Sequence, residues 1–190
     1  MHSFDYIYSI FKVMYTKILS VDDYPDFFKN IKRQYNPIST NKMLYSYIDN
    51  PSHIIEHIYL GNAYNAANYN LLTELKINII INISSNIPNY FEKDEHLDIN
   101  YIHYNIKDVN DSNISEYLTK SYSVLSNNTD KNILIHCYAG SSRSASIILY
   151  YLIKKYNYSF ETANNLLKSK RDIVNINTTY IDEIHKLCKD

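Results

Sequence analysis

Tryptophan is absent from the 190 residues, glycine and cysteine occur twice each, and arginine occurs only at positions 33, 143 and 171. Two cysteines, Cys137 and Cys188, cannot form a disulfide framework, and neither lies in a CxxC pair or another zinc-binding spacing. They point to a reducing, cytoplasmic setting. Asp5, Lys12 and Lys17 interrupt the first twenty residues, which leaves no apolar run suited to a signal sequence or a bilayer crossing. Neither sign of charge is in excess: the formal net charge is -1, so nothing recruits nucleic acid, an anionic membrane or an acidic partner without a local patch. The histidines form no metal-binding spacing. His53 and His57 are four apart, as on one side of a helix, but "HIYLGN" reads as a strand.

What is present is globular. Hydrophobic residues make up 45% and charged residues 21%, over a length that holds one domain and an extension. Asn, Ile, Tyr and Lys are used heavily, the bias of an AT-rich genome. Phe4, Ile7, Phe11, Met14 and Ile18 recur at spacings of three and four and predict a helix with one apolar face. That face fits either burial on its own domain or a homodimer contact. A second helix is expected from Asp22 and Asp23, with Pro25 in its first turn, until Asn36-Pro37 stops it. Residues 1–50 thus read as a helical extension, with the boundary at Asn50-Pro51 and the main domain over 51–190.

From residue 52 strands and helices alternate. "HIYLGN" predicts a strand ending at Gly61, "AANYNLLTELK" a helix, "INIIINIS" a strand covered on both faces and "DINYIHYNI" another strand. Ile114, Tyr117, Leu118, Val124 and Leu125 have helical spacing, and "NILIHC" is a buried strand. Three helices follow, from Ser144 to about Tyr156, Ser159 to about Lys168 and Thr178 to about Cys188. The alternation predicts an α/β fold, a central mixed, mostly parallel sheet flanked by helices.

The stretch "ILIHCYAGSSRSASIILYYLI", residues 133–153, puts Cys137 between a strand and a helix. A loop at that junction aims its amides and the positive end of the helix at one small volume, where an anion fits. A thiol there, beside a guanidinium, has its thiolate stabilised and becomes a nucleophile near neutral pH. Gly140 lets successive amides turn inward, so the backbone of Tyr138, Ala139, Gly140, Ser141 and Ser142 suits an oxyanion while the side chains of Tyr138, Ser141 and Ser142 project outward. Arg143 can grip two oxygens at once, which a lysine cannot, in a chain that otherwise prefers lysine. Ser144 is placed as a helix cap, and His136 as a residue that orders the loop and favours the thiolate by hydrogen bonding. A leaving alkoxide must also be protonated, and Asp108 and Asp111 are the candidate acids.

The motif "HCYAGSSRS" resembles the HCxxGxxR-Ser/Thr signature of the cysteine-based protein tyrosine phosphatases. The likeness extends through "HIYLGNAYNAANYNLL", "INIIINIS", "IKDVNDSNISEYL" and "KRDIVNINTTYIDEI", with the texture of the compact dual-specificity branch. The resemblance implies a shallow pocket for phosphotyrosine and phosphoserine or phosphothreonine in protein substrates, a cysteinyl-phosphate intermediate, and neither metal nor other cofactor. It also implies that Asp108 is the general acid and then the base that activates water, leaving Asp111 as a turn or helix N-terminal residue. Ser144 then stabilises the departing thiolate. Where the family usually carries Asn-Pro-Asn, Ile176 replaces the proline, so Asn177 braces the loop from a less rigid turn. The lack of tryptophan excludes the Trp-Pro-Asp acid loop of the larger tyrosine-specific enzymes.

Three rival functions are set against this one. Phosphoinositide phosphatases of the superfamily often carry lysines inside the loop, whereas positions 138, 139, 141 and 142 are uncharged. An RNA 5'-phosphatase would want a basic groove that this composition does not announce. A phosphopeptide-binding pseudophosphatase usually lacks the cysteine.

Overall fold

The structure, a computed structural model, describes residues 49–106 and 113–189. The helices expected before residue 37, nearly all of the 1–50 extension and both candidate acids, Asp108 and Asp111, lie outside them.

Within the described residues a single five-stranded sheet is flanked by helices, as the alternation predicts. Its strands are β1 (Ser52–Ile55), β2 (Ile58–Gly61), β3 (Ile77–Asn82), β4 (Asn100–His103) and β5 (Asn132–His136), in the order β1-β2-β5-β3-β4. β1 runs antiparallel to β2, and every other pair is parallel. β1 was not expected as a separate strand. No Gly, Pro or Asn marks the turn that splits "HIIEHIYL"; Glu56 makes it with φ +47°, an uncommon left-handed conformation for a residue with a side chain.

The helices are α1 (Ala63–Ala66), α2 (Tyr69–Glu74), α3 (Ser115–Asn127), α4 (Arg143–Tyr156), α5 (Phe160–Lys170) and α6 (Thr178–Cys188). "AANYNLLTELK", residues 66–76, carries α2 as expected, starting three residues into the stretch, while α1 precedes it and shares only Ala66. The Asn68 side chain accepts the Leu71 amide at 3.2 Å and starts α2 afresh, while Asn62 caps α1 reciprocally with Asn65.

Period-two alternation sorts the strands onto two faces. Ile79, Ile81, Ile133 and Ile135 pack with Leu118, Leu125, Ile147, Tyr151, Leu167 and Tyr180 on one side, and Ile80 and Leu134 meet Leu72 and Ala66 on the other. Each fully buried Ile or Leu contributes about 1.5–3 kcal/mol. α4 is buried continuously from Arg143 to Leu152, so its first turn is held rigidly against the end of β5. The strands' C-terminal ends are level: Gly61 pairs with His136, and Asn82 pairs with His136 from the other side. Loops leaving three adjacent parallel strands thus meet at one point, where ligands of such sheets bind.

α3 starts at Ile114, whose side chain cannot cap it. Glu183 of α6 supplies the cap instead: its Oε2 accepts from the amides of Ile114 and Ser115 and from the Ser115 hydroxyl, each at 2.8 Å. Asn113 Oδ1 also accepts from the Ser115 amide at 2.9 Å. Glu183→Ala is expected to lower the unfolding free energy by about 1–2 kcal/mol in denaturant titrations, the range of a lost helix cap next to a positive helix end. Glu183→Gln, which keeps an acceptor, is expected to lose less. Equal midpoints for wild type and Glu183→Ala would show that water replaces the carboxylate at no cost.

Among the described residues no helix is long and apolar enough to cross a membrane.

Candidate active site

β5 delivers Cys137 on the side of the sheet that faces α4, because it continues the alternation of Ile133 and Ile135. The chain then needs a reversal tight enough to enter α4 six residues later. Gly140 makes it at φ +70°, a conformation that side chains disfavour. Space excludes them as well: a Cβ there would lie 2.3 Å from the Gly61 carbonyl oxygen. At Gly61 a Cβ would lie 2.8 Å from Leu134 Cδ1. Gly140 thus packs directly on the Gly61 backbone, while Gly61 is itself confined by Leu134 and Asn65.

Inside the loop the Gly140 amide donates to Cys137 Sγ at 3.3 Å and the Ser144 hydroxyl donates to it at 3.2 Å. Burial alone would push the thiol up. The positive charge of Arg143, the Ser144 hydroxyl and amide and the Gly140 amide outweigh it and hold the thiol below its ordinary range. Cys188, partly buried on α6, is pushed up by burial and only partly relieved by Lys154. The two thiols are thus shifted in opposite directions.

Arg143 is buried at the head of α4. Its Nη1 donates to the Ile106 carbonyl at 3.0 Å and to Ser84 Oγ at 3.4 Å, which joins the loop to the ends of β3 and of the segment after β4. Ser84 is a site residue that the sequence reading did not single out. Position marks it, two residues beyond a strand level with β5, but nothing in its local pattern does.

Three expectations change. Ser144 is not a helix cap: it lies within the first turn of α4, and its hydroxyl is spent on sulfur. Ser142 does not project freely outward, because its Oγ accepts the Asn177 amide at 3.0 Å. His136 reaches the carbonyl oxygen of Cys137 at 3.4 Å rather than the sulfur, and burial, opposed by that hydrogen bond and aided by His103 and Arg143, pushes it down to about 4. It is a neutral imidazole that orders the backbone and lends the thiolate no charge.

Asn177 contacts the loop through its main-chain amide, which donates to Ser142 Oγ, while its side chain caps α6 by accepting the Thr179 amide at 2.9 Å. Two residues earlier, the Asn175 amide donates to the Ser141 carbonyl at 3.0 Å. Arg171 donates to the carbonyls of Gly140 at 2.9 Å and Ala139 at 3.1 Å. Arg171 was also not singled out, although its scarcity was a usable signal: two of three arginines converge on this loop.

The loop, its sulfur, the Arg143 guanidinium and inward amides form a cup for a tetrahedral oxyanion, with Arg171 behind the loop on its carbonyls. Among the described residues no three His, Cys, Asp or Glu side chains are grouped to hold a metal ion.

Residues 58–189 match the family described as dual specificity phosphatase, catalytic domain. Dual specificity protein phosphatase 9 of Homo sapiens is 32% identical over 136 residues, which cover 70% of this chain and 35% of that protein. A Protein phosphatase Slingshot homolog of Xenopus laevis is 28% identical over 156 residues, 80% of this chain and 22% of that protein. The chain thus spans about a third or less of these two relatives' lengths. The crystal structure of human DUSP28 superposes with a TM-score of 0.68 at 17% identity, over 74% of this chain and 94% of that one, and so shares the fold. With most of its residues inside the matched region, the chain belongs to the dual specificity phosphatase catalytic-domain family.

Proposed function

We propose that this chain is a protein phosphatase that hydrolyses phosphotyrosine and phosphoserine or phosphothreonine esters through a cysteinyl-phosphate intermediate. The observation that carries the reading is Cys137 Sγ, buried yet accepting from the Gly140 amide and the Ser144 hydroxyl beside Arg143, which together hold its thiol below the ordinary range against the cost of burial.

The substrate phosphoryl group sits against the inward amides of residues 138–143, with the Arg143 guanidinium across two of its oxygens. The Cys137 thiolate attacks phosphorus, the ester P–O bond breaks, and the leaving oxygen takes a proton from the Asp108 carboxylic acid. Asp108, now a carboxylate, removes a proton from water, which attacks phosphorus and breaks the P–S bond. Inorganic phosphate leaves, the Ser144 hydroxyl stabilises the returning thiolate, and Asp108 is protonated again.

Chain connectivity supports Asp108 over Asp111. Ile106 is tethered by its carbonyl to Arg143, and two further residues span at most about 7 Å. Asp111 is three positions from Ile114, whose amide belongs to Glu183. Asp108→Asn is expected to lower kcat about 10²-fold or more for substrates with poor leaving groups, such as phosphothreonine peptides and phenyl phosphate. The loss is expected to shrink for activated nitrophenyl esters, which need little protonation. If Asp111→Asn gives that pattern and Asp108→Asn does not, the acid moves by three residues.

The uncharged side chains at 138, 139, 141 and 142 favour phosphoproteins over phosphoinositides. Turnover of a phosphoinositide that exceeds that of phosphotyrosine and phosphothreonine peptides would overturn the substrate class.

A further inference from the structure

We infer that Arg171 is a positioning residue that aims the oxyanion-binding amides of the phosphate loop, an assignment that rests on the cup proposed above as the substrate site. The argument begins with where the loop's carbonyls go. In a trans peptide the C=O of one residue and the N–H of the next point in opposite directions, so a carbonyl held outside the cup turns the following amide into it. Every carbonyl from Tyr138 to Ser142 is held in this way. Tyr138 O accepts the Ala63 amide at 3.1 Å, at the start of α1, and Ser141 O accepts the Asn175 amide at 3.0 Å. Ser142 O accepts the Ser146 amide at 2.8 Å, inside α4.

The remaining two, Ala139 O and Gly140 O, both accept from Arg171, at 3.1 Å and 2.9 Å. Four of the five peptide planes flank or include Gly140 and its neighbours, the part of the loop with least intrinsic rigidity. At three carbonyls the donor is backbone: the first residue of α1, the segment between α5 and α6, and the first turn of α4. At the two consecutive ones it is a single buried side chain.

The planes Arg171 holds carry the amides of Gly140 and Ser141. One of them can be checked directly: the Gly140 amide points into the cup and donates to Cys137 Sγ at 3.3 Å. A forked, planar donor is needed because Nε and Nη2 donate to the two carbonyls at once. A lysine at 171 could serve only one. Arg143 and Arg171 thus divide the work: one faces the anion, and the other faces the back of the backbone that binds it.

The test compares wild type, Arg171→Lys and Arg171→Met for tungstate affinity by calorimetry, for kcat/KM on an aryl phosphate, and for thermal midpoint. Arg171→Met is expected to weaken tungstate binding about 10- to 100-fold, the scale of a small misplacement of preorganised groups, with kcat/KM falling in parallel. Arg171→Lys is expected to lie between Met and wild type, and dilute methylguanidinium is expected to restore part of both readouts in Arg171→Met.

A stability role alone would lower the thermal midpoint and leave tungstate affinity of the folded fraction at the wild-type value, which would overturn the assignment. Wild-type behaviour of Arg171→Lys in both readouts would also overturn it. Should Arg171→Met fail to fold, the lysine variant still decides. If wild type binds tungstate in an Arg171-dependent way but hydrolyses no phosphomonoester, the phosphatase reading fails and the positioning role stands.

Discussion

Cys137→Ser is expected to lower kcat for aryl phosphates and phosphopeptides by about 10⁴-fold or more, the scale of removing a covalent nucleophile. The cup is built to stabilise a negative sulfur: the Gly140 amide, the Ser144 hydroxyl and Arg143 together overcome the cost of burying it. A serine hydroxyl is nearly isosteric but ionises far above the thiol range, so the same donors cannot make it an anion near neutral pH. The expected result is an inactive protein that still binds tungstate, because the loop amides and both arginines remain. Retained oxyanion binding separates a missing nucleophile from a collapsed loop. Undiminished turnover would remove the sulfur from the reaction.

Arg143→Lys is expected to reduce kcat/KM by about 10³-fold, comparable to loss of a strong oxyanion donor in a buried site. Two separate functions are lost to different extents. The planar fork that spans two phosphoryl oxygens disappears in lysine, although its positive charge can remain. Arg143 Nη1 also holds the Ile106 carbonyl at 3.0 Å, so the start of the segment carrying Asp108 loses its anchor. Arg143→Met removes the charge too.

These contributions separate in the pH dependence of iodoacetate alkylation, read on Cys137 in a Cys188→Ser background. Arg143 is the foremost influence that lowers the Cys137 thiol, so its removal moves the alkylation midpoint to higher pH. The expected order of midpoints is wild type below Arg143→Lys below Arg143→Met. An unchanged midpoint in Arg143→Met would mean that the hydroxyl and amides alone hold the thiolate.

The site was legible in the sequence to the extent that its parts are local. Cys137, Gly140, Arg143 and Ser144 lie within eight residues, and a strand followed by a helix orients them in a predictable way. Gly140 and Arg143 also stood out against a composition that avoids both residue types. The parts contributed from a distance were less legible. Ser84 lies 59 positions from Arg143, and Arg171 reaches Gly140 across 31 positions. Glu183 caps α3 from 69 positions beyond Ile114. None has a local pattern that distinguishes it from an ordinary surface serine, arginine or glutamate.

The fold divides in the same way. The long apolar strands β3 and β5 and the helices α4, α5 and α6 were readable because hydrophobic periodicity and caps act over a few residues. β1 and the short α1, which ends before Asn68 restarts the helix, were not. The first depends on a left-handed Glu56, whose cost the hairpin pairing must offset, and the second on an asparagine that could as easily have stayed inside a helix.

By itself the sequence determined which groups gather at the candidate site: a thiol, a guanidinium, a hydroxyl and a glycine-bearing loop at fixed offsets. Only tertiary structure decided how those atoms are aimed. It set Gly140 against Gly61, turned the Ser142 hydroxyl toward Asn177 rather than solvent, limited His136 to the Cys137 carbonyl, and brought Arg171 behind the loop. The reason is that covalent spacing sets which groups are neighbours along a chain, whereas the direction of a backbone amide depends on what holds the carbonyl on the other side of its plane, and those donors come from elements far away in sequence.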